Sequence, residues 1–326
     1  MPKETLPNQL QKSDPLRHSS SEASQPIVLP KGELFAKFRI LTPAEVEKLG
    51  LTKKKKIQEQ KDKTAVLTEQ AKEILGKDML GPEAVNATFG FSPEAIPPIP
   101  FSIEDLERAK ELNQFLILRV DKTADGTPLD IHKMHGLIQP EFTAKNQGKI
   151  LNSYEESSSW YKNEDFLRDI PRASWALVSK DVIPNSLNID FLQQTEIMAN
   201  YLKTDVFKDR ELPEAYKEAI EEFETKKAGI QAILANNWQE AAKQLSELKI
   251  NQLTRQLPVE AMYDFLMYFK NNSVRLLESK YTWTLRRASD GRLVHFGNAG
   301  ADGANVSRWT PGYTGDNLGV AFSRSH

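Results

Sequence analysis

From Tyr281 to Arg324 the chain reads YTWTLRRASDGRLVHFGNAGADGANVSRWTPGYTGDNLGVAFSR. Composition breaks at the start of this stretch. No Lys or Glu follows Lys280, yet seven of the 16 glycines do: Gly291, Gly297, Gly300, Gly303, Gly312, Gly315 and Gly319. Short apolar or aromatic runs alternate with Asp-Gly, Gly-Tyr and Gly-Asp turn signals, a pattern of several short strands. Gly297 to Gly303 reads as a flexible inter-strand loop. A phosphate cradle would lead into a helix N-terminus, whereas the strand-like Val306-Ser307-Arg308-Trp309 follows.

Upstream, from Leu187 to about Phe269, the pattern is helical. Pro213 opens a long helix in which Ala219, Ile220, Phe223, Ile230 and Ile233 recur at helical spacing, and Pro258 opens another. Phe115-Leu116-Ile117-Leu118-Arg119-Val120 is a compact apolar strand; Asp125-Gly126 predicts a turn, and Leu129 to His132 a return strand. Thr42, Pro43 and Glu45 start a helix that Gly50 should stop. The four lysines Lys53 to Lys56 sit among acidic residues and read as a solvated helix face. Pro82, Pro93, Pro97, Pro98 and Pro100 argue for an extended connector over 81–100, and Ser102 caps a short helix after it.

The fold class is therefore α+β. A disordered tail covers 1–30, and a helical and Pro-rich connector region covers 31–100. An α+β domain covers 101–326, with helices at about 187–271 and a small antiparallel β-rich segment over 274–324.

With 27% charged residues and a net charge of −2, the chain has no global basic field, so neither nucleic acid nor membrane is an expected partner. No apolar run approaches the ~18–20 residues of a membrane span. The Met1-Pro2-Lys3-Glu4-Thr5 start lacks the apolar core of a secretory signal, so a cytoplasmic location is expected. Without cysteine there is no disulfide, thiolate nucleophile or iron–sulfur cluster.

Asp130, His132 and His135 are the one local cluster with metal-ligand chemistry. On a strand the two imidazoles would point to opposite faces, and on a helix they would share one. The local sequence favours strand or loop. Val274 to Leu277 followed by Glu278 and Lys280 resembles half of a nuclease metal site, but Asp264, the nearest upstream acid, lies in a helical pattern. No catalytic residue, resident metal or cofactor is assigned.

The final segment has the chemistry of a contact surface: aromatics and Arg for rigid area, Ser, Asn, Thr and Gly for adaptable hydrogen bonding. Trp283, Trp309 and Phe322 read as core. Arg286, Arg287, Asp290, His295, Asn298, Asp302, Asn305, Ser307, Arg308, Tyr313, Asp316 and Asn317 read as exposed ligand-binding residues, with Thr314 beside them.

Tyr281-Thr282-Trp283-Thr284, then Trp309, then Gly319-Val320-Ala321-Phe322-Ser323-Arg324, resembles the C-terminal part of C-type-lectin-like domains of the formylglycine-generating-enzyme type. In those domains a Trp-containing strand, a long loop and a final Gly-Phe-Arg-like strand close the fold. The polar content between Trp283 and Arg324 is similar to the variable proteins of diversity-generating retroelements, a subset that carries hypervariable residues there. The match covers about 45 residues by its own bounds. The Glu-Pro-Asn and Trp-Asn-Asp calcium–sugar motifs are missing, and without Cys formylglycine-generating chemistry is excluded. The resemblance implies a scaffold and a binding face rather than an activity.

The expected function is thus non-catalytic binding of a protein or glycan partner through the C-terminal surface. The competing classes are a structural or adaptor protein acting through its helical block, and a metal-dependent enzyme using Asp130, His132 and His135.

Overall fold

The computed structural model describes residues 43–325. The expected tail over 1–30 lies outside them. Two compact units divide the chain, Met1–Ile57 and Gln58–His326. The described part of the first unit is helical. It belongs to α1, Pro43–Leu75, which runs through Gly50 without stopping and carries Lys53 to Lys56. A glycine inside a helix costs only about 1 kcal/mol, and helix formers on both sides outweigh that.

The second unit holds two four-stranded sheets. The first comprises β1 (Met79–Leu80), β2 (Gln114–Arg119), β3 (Ser174–Ser179) and β8 (Ser323–Ser325), in that order. β1 runs parallel to β2, and the other pairs are antiparallel. The second sheet has the order β6 (Gly303–Trp309), β5 (Leu293–Gly300), β4 (Tyr281–Arg287), β7 (Leu318–Gly319). Its β4–β7 pair is parallel, so the segment is not purely antiparallel as the sequence suggests.

Several local expectations are corrected. Pro82 does not hold 81–100 extended: it opens helix α2, Pro82–Phe89, which closes on Gly90 at φ 79°. A proline is tolerated at a helix start, where its missing N–H would have no partner anyway. Only 91–100 lacks regular structure. The Asp125-Gly126 turn forms, but no return strand follows it. Asp130 instead caps helix α4, Ile131–Ala144, by accepting from the Lys133 N–H at 2.7 Å. The antiparallel partner of β2 is β3, far along the chain. Val274 to Lys280 forms turns before β4 begins, and Leu277 adopts φ 52°. Gly297 to Gly303 is not a free loop: β5 extends to Gly300, and β6 restarts at Gly303 after a two-residue turn.

The helices follow the sequence more closely. α3 (Ile103–Glu111) starts from a capping box between Ser102 and Asp105. α5 (Phe191–Tyr201) starts from one between Asp190 and Gln193 and runs into a π-turn over Leu202–Val206. α6 (Glu214–Ile233), α7 (Trp238–Glu247), α8 (Lys249–Thr254) and α9 (Pro258–Asn272) complete the block.

α9 is buried along Pro258 to Tyr268 and packs on both sheets. Its sequence would predict a greasy helix, yet it carries Glu260 and Asp264 into the interior, 0% and 1% exposed. Their partner is Arg119, 1% exposed, at the end of β2. Arg119 donates to Asp264 from Nε at 2.9 Å and from Nη2 at 2.5 Å, and Nη2 also reaches Ser323 Oγ of β8 at 3.0 Å. Glu260 lies 3.6 Å from Arg119 and receives Nε and Nη2 of Arg172, each at 2.7 Å. Two guanidinium and two carboxylate groups thus balance. Burial alone would raise the Glu260 carboxyl, but Arg119 and Arg172 outweigh it and hold it at about 2.

The last residues cross between the sheets. Leu318 and Gly319 pair with β4, and Ser323 to Ser325 pair with β3. Between them the Ala321 N–H donates to Thr282 Oγ1 at 2.8 Å, and the Ile183 N–H to Val320 O at 2.9 Å. Val320 and Phe322 are fully buried.

Removing one member of the ion cluster strands its partner in a dry site. Asp264→Asn is expected to cost about 3–5 kcal/mol in urea unfolding. Arg119→Met with Asp264→Leu is expected to lose less than the two single changes added together. A loss under about 1 kcal/mol for Asp264→Asn, the level of an exposed pair, would show that the cluster does not anchor the fold.

Candidate functional site

The register of the second sheet sorts its side chains by face, because cross-strand partners share one. Trp283 pairs with His295 and His295 with Ser307; Thr282 pairs with Phe296 and Phe296 with Val306. Val294, Phe296 and Val306 face the core around α9, and Trp283 and Leu293 face the core built by α5 to α8. Towards the outer edge, β6 extends past the cover of those helices. Asn305 and Ser307 are half-buried there and Trp309 is 44% exposed.

Trp309, read from the sequence as core, is therefore a surface residue. Trp283 and Phe322 are buried as expected. Trp309 stacks on Tyr313, 38% exposed, with ring centroids 4.7 Å apart and planes 13° from parallel. The loop that carries Tyr313 is held at several points. Tyr313 N–H donates to Thr310 O at 3.0 Å, Phe191 N–H to Pro311 O at 3.0 Å, Asn188 N–H to Gly315 O at 2.9 Å and Tyr281 N–H to Asn317 O at 2.7 Å. Thr314, Asp316 and Asn317 are exposed on the same loop. The result is an aromatic pair on a pinned backbone, bordered by short polar side chains.

The turn joining β5 and β6 is fixed from the other side. The Lys149 N–H donates to Ala301 O at 3.0 Å and the Asn152 N–H to Ala304 O at 2.9 Å. Gly303, at φ 95°, lets the backbone of Leu151 approach so closely that a Cβ would lie 2.5 Å from its carbonyl carbon. Asn298 and Asp302 stay exposed on this turn, and Asn305 Nδ2 donates to Asn298 O at 3.3 Å.

The remaining sequence-derived residues do not join the aromatic pair in one patch. Arg308 shares a face with Val294, opposite Trp309, and its guanidinium lies 3.8 Å from the centre of the Trp160 ring. Asp290 binds Arg308 at 2.6 Å and Arg292 at 2.7 Å. Partial burial raises the Asp290 carboxyl, but these two arginines more than offset it and hold it below its usual value. Arg286 is bidentate to Asp169, at 2.6 and 3.1 Å. Arg287 is exposed at the end of β4.

His295 is corrected outright. It is 4% exposed, between Tyr281 and Trp283 in edge-on contacts at 4.9 and 5.3 Å. Neither ring nitrogen has a hydrogen-bond partner, and burial pushes the imidazole down to about 3. It serves as a neutral aromatic filler rather than a ligand contact. The Leu-Val-His-Phe context gave no sign of this, because period-two alternation assigns His295 the same face as Trp283 only once the β4 register is known.

Asp130, His132 and His135 do not assemble as a metal set. Asp130 is occupied as the α4 cap. His132 and His135 lie on a helix rather than a strand, and both turn to Tyr154: His132 Nδ1 is 2.5 Å from its hydroxyl, and His135 stacks on its ring at 4.1 Å. Among the described residues no group of three or more His, Cys, Asp or Glu side chains could hold a metal ion. Nor is any helix among them long and apolar enough to cross a membrane.

The neutral His295 carries a linkage consequence. Its folded pKa is depressed below the usual 6.5, so below that pH the unfolded chain binds the proton more readily. Its contribution to stability is present above pH 6.5 and is lost as pH falls towards 3. His295→Phe is expected to flatten the fall in urea-unfolding free energy between pH 7 and pH 4. An unchanged pH slope would refute this.

Searches of protein-family models, curated proteins and solved structures return no match to this chain.

Proposed function

We propose that this chain is a non-catalytic binding protein that presents its C-terminal sheet to a protein or glycan partner, on a scaffold of the C-type-lectin-like type. The observation that carries the reading is the exposed Trp309–Tyr313 stack on a pinned loop. Aromatic rings supply large contact area at little conformational cost, so their exposure on rigid backbone suits recognition. Asn305, Ser307, Thr314 and Asn317 around them supply hydrogen-bond donors and acceptors without a charge to desolvate.

Three features support the scaffold. A strand carries buried Trp283, a loop follows Trp309, and the chain closes through two short strands, Leu318–Gly319 and Ser323–Ser325, one in each sheet. By this reading the protein works in the cytoplasm, without a membrane partner.

The test combines a glycan array with selection against a displayed peptide library, using the full chain. Ligands recovered on the wild-type protein are expected to lose at least about tenfold in affinity to Trp309→Ala/Tyr313→Ala, equal to about 1.4 kcal/mol. The melting temperature should fall by only a few degrees, since both side chains keep more than a third of their surface in solvent and what is lost is mainly their mutual stack. Ligands that bind the double variant unchanged would remove the surface from consideration. Variation among close relatives gives a second check: positions 286–317 should vary more than 187–271.

A further inference from the structure

A second candidate site lies apart from the C-terminal surface, in a cavity of about 300 Å³ between α4 and the segment 148–156. Its floor is apolar, from buried Phe142 and Leu151. One wall is aromatic: the His135 and Tyr154 rings lie 4.1 Å apart at 30°. The wall is braced, because His132 Nδ1 meets the Tyr154 hydroxyl at 2.5 Å, and the Tyr161 ring lies 6.5 Å away, tilted by 31°. Gln139 is likewise fixed, accepting from the Ile150 N–H at 3.0 Å and donating to Gly148 O at 3.2 Å. Glu155 and Glu156 stand at the mouth, exposed, and neither pairs with a cation among the described residues.

We propose that this cavity binds a small organic cation, an amine with an apolar body, whose charge sits between the Tyr154–His135 wall and the Glu155 and Glu156 carboxylates.

Carboxylates lie near the aromatic end of the cavity: Glu155 acts on both the Tyr154 and His135 rings, and Asp130 on Tyr154. Tyr154 is pushed up first by burial and then by Asp130 and Glu155, both acidic. Burial keeps the His135 imidazole below its usual value, so at neutral pH it offers a neutral ring rather than a repelling charge. Lys149 is the one Lys or Arg of the lining; it is exposed, and two carboxylates, Glu155 and Glu156, stand against it. An ammonium group over the ring faces gains from the ring quadrupole. Its apolar body lies against the Phe142 and Leu151 floor, so the ligand's own apolar surface leaves water. An anion would meet two unpaired carboxylates at the entrance. The site differs from the metal reading of the same histidines, because it uses their rings and not their lone pairs.

Three probes of one shape and different charge test the proposal on the full chain: 2-phenylethylamine, 2-phenylethanol and phenylacetate, followed by ligand-observed NMR titration. The amine is expected to bind at least about tenfold more tightly than either comparator. Glu155→Gln/Glu156→Gln leaves the shape intact and touches only exposed side chains, so it should fold normally and lose the preference for the amine over the alcohol. Tyr154→Leu should weaken all binding. The proposal is overturned if phenylacetate binds as tightly as the amine, if none of the three binds the wild-type protein, or if the double glutamine variant keeps the full preference.

Discussion

The buried pairing of Arg119 with Asp264 is the constraint from which the architecture follows. A guanidinium without solvent needs its donors filled, and here the acceptors come from different parts of the chain: Asp264 of α9 and Ser323 of β8. Nε and Nη2 of Arg119 are filled in this way, while Nη1 has only the Glu260 charge at 3.6 Å, and the bonds fix the central helix against β2 and draw the last strand to the same place. Glu260, one turn before Asp264, extends the arrangement to Arg172 just ahead of β3. Such a cluster contributes less net stability than apolar packing of equal volume would. What it supplies is geometry, because partners with fixed directions accept few alternative placements.

Arg255 offers a contrast inside the neighbouring core. It is fully buried with no carboxylate partner among the described residues, lies 3.8 Å over the Phe191 ring and donates to Asn251 Oδ1 at 2.8 Å. Burial pushes it down to about 9. The two arginines show how differently one residue type can be accommodated: one by matched charge, the other by a ring face and an amide. Around Arg255 the helices α5 and α8 meet the sheet, which ties the helical block to the strand that carries Trp283.

Closing the chain between two sheets bears on the proposed binding surface. Buried Val320 and Phe322 hold the final strand, and the loop before it is pinned to α5 and β4, so Tyr313 is displayed on backbone with little freedom. Rigid display lowers the entropy lost on binding. The other polar residues of the segment are spent within the protein. Arg286 is held by Asp169, Arg308 by Trp160 and Asp290, and His295 by a ring cage. The exposed polar surface of this segment is smaller and more neutral than composition implies.

Periodicity and end signals determined much of the fold. The apolar run at 115–120, the cap at Ser102, the prolines at 213 and 258 and the glycine-rich final strands all act through local backbone preferences, which are legible residue by residue. Local rules also misled where a neighbour three or four positions away changed the outcome. Pro82 began a helix it seemed to forbid, Asp130 capped a helix where a strand seemed to return, and Gly50 was carried through one. Which residues reach solvent was a tertiary matter. Trp309 and His295 lie on one face of one sheet, yet the first is exposed because it lies beyond the edge of the helical cover, and the second is buried because Tyr281 and Trp283 enclose it. Cross-strand register and the reach of packed helices decide that difference, and both depend on contacts far apart in the chain.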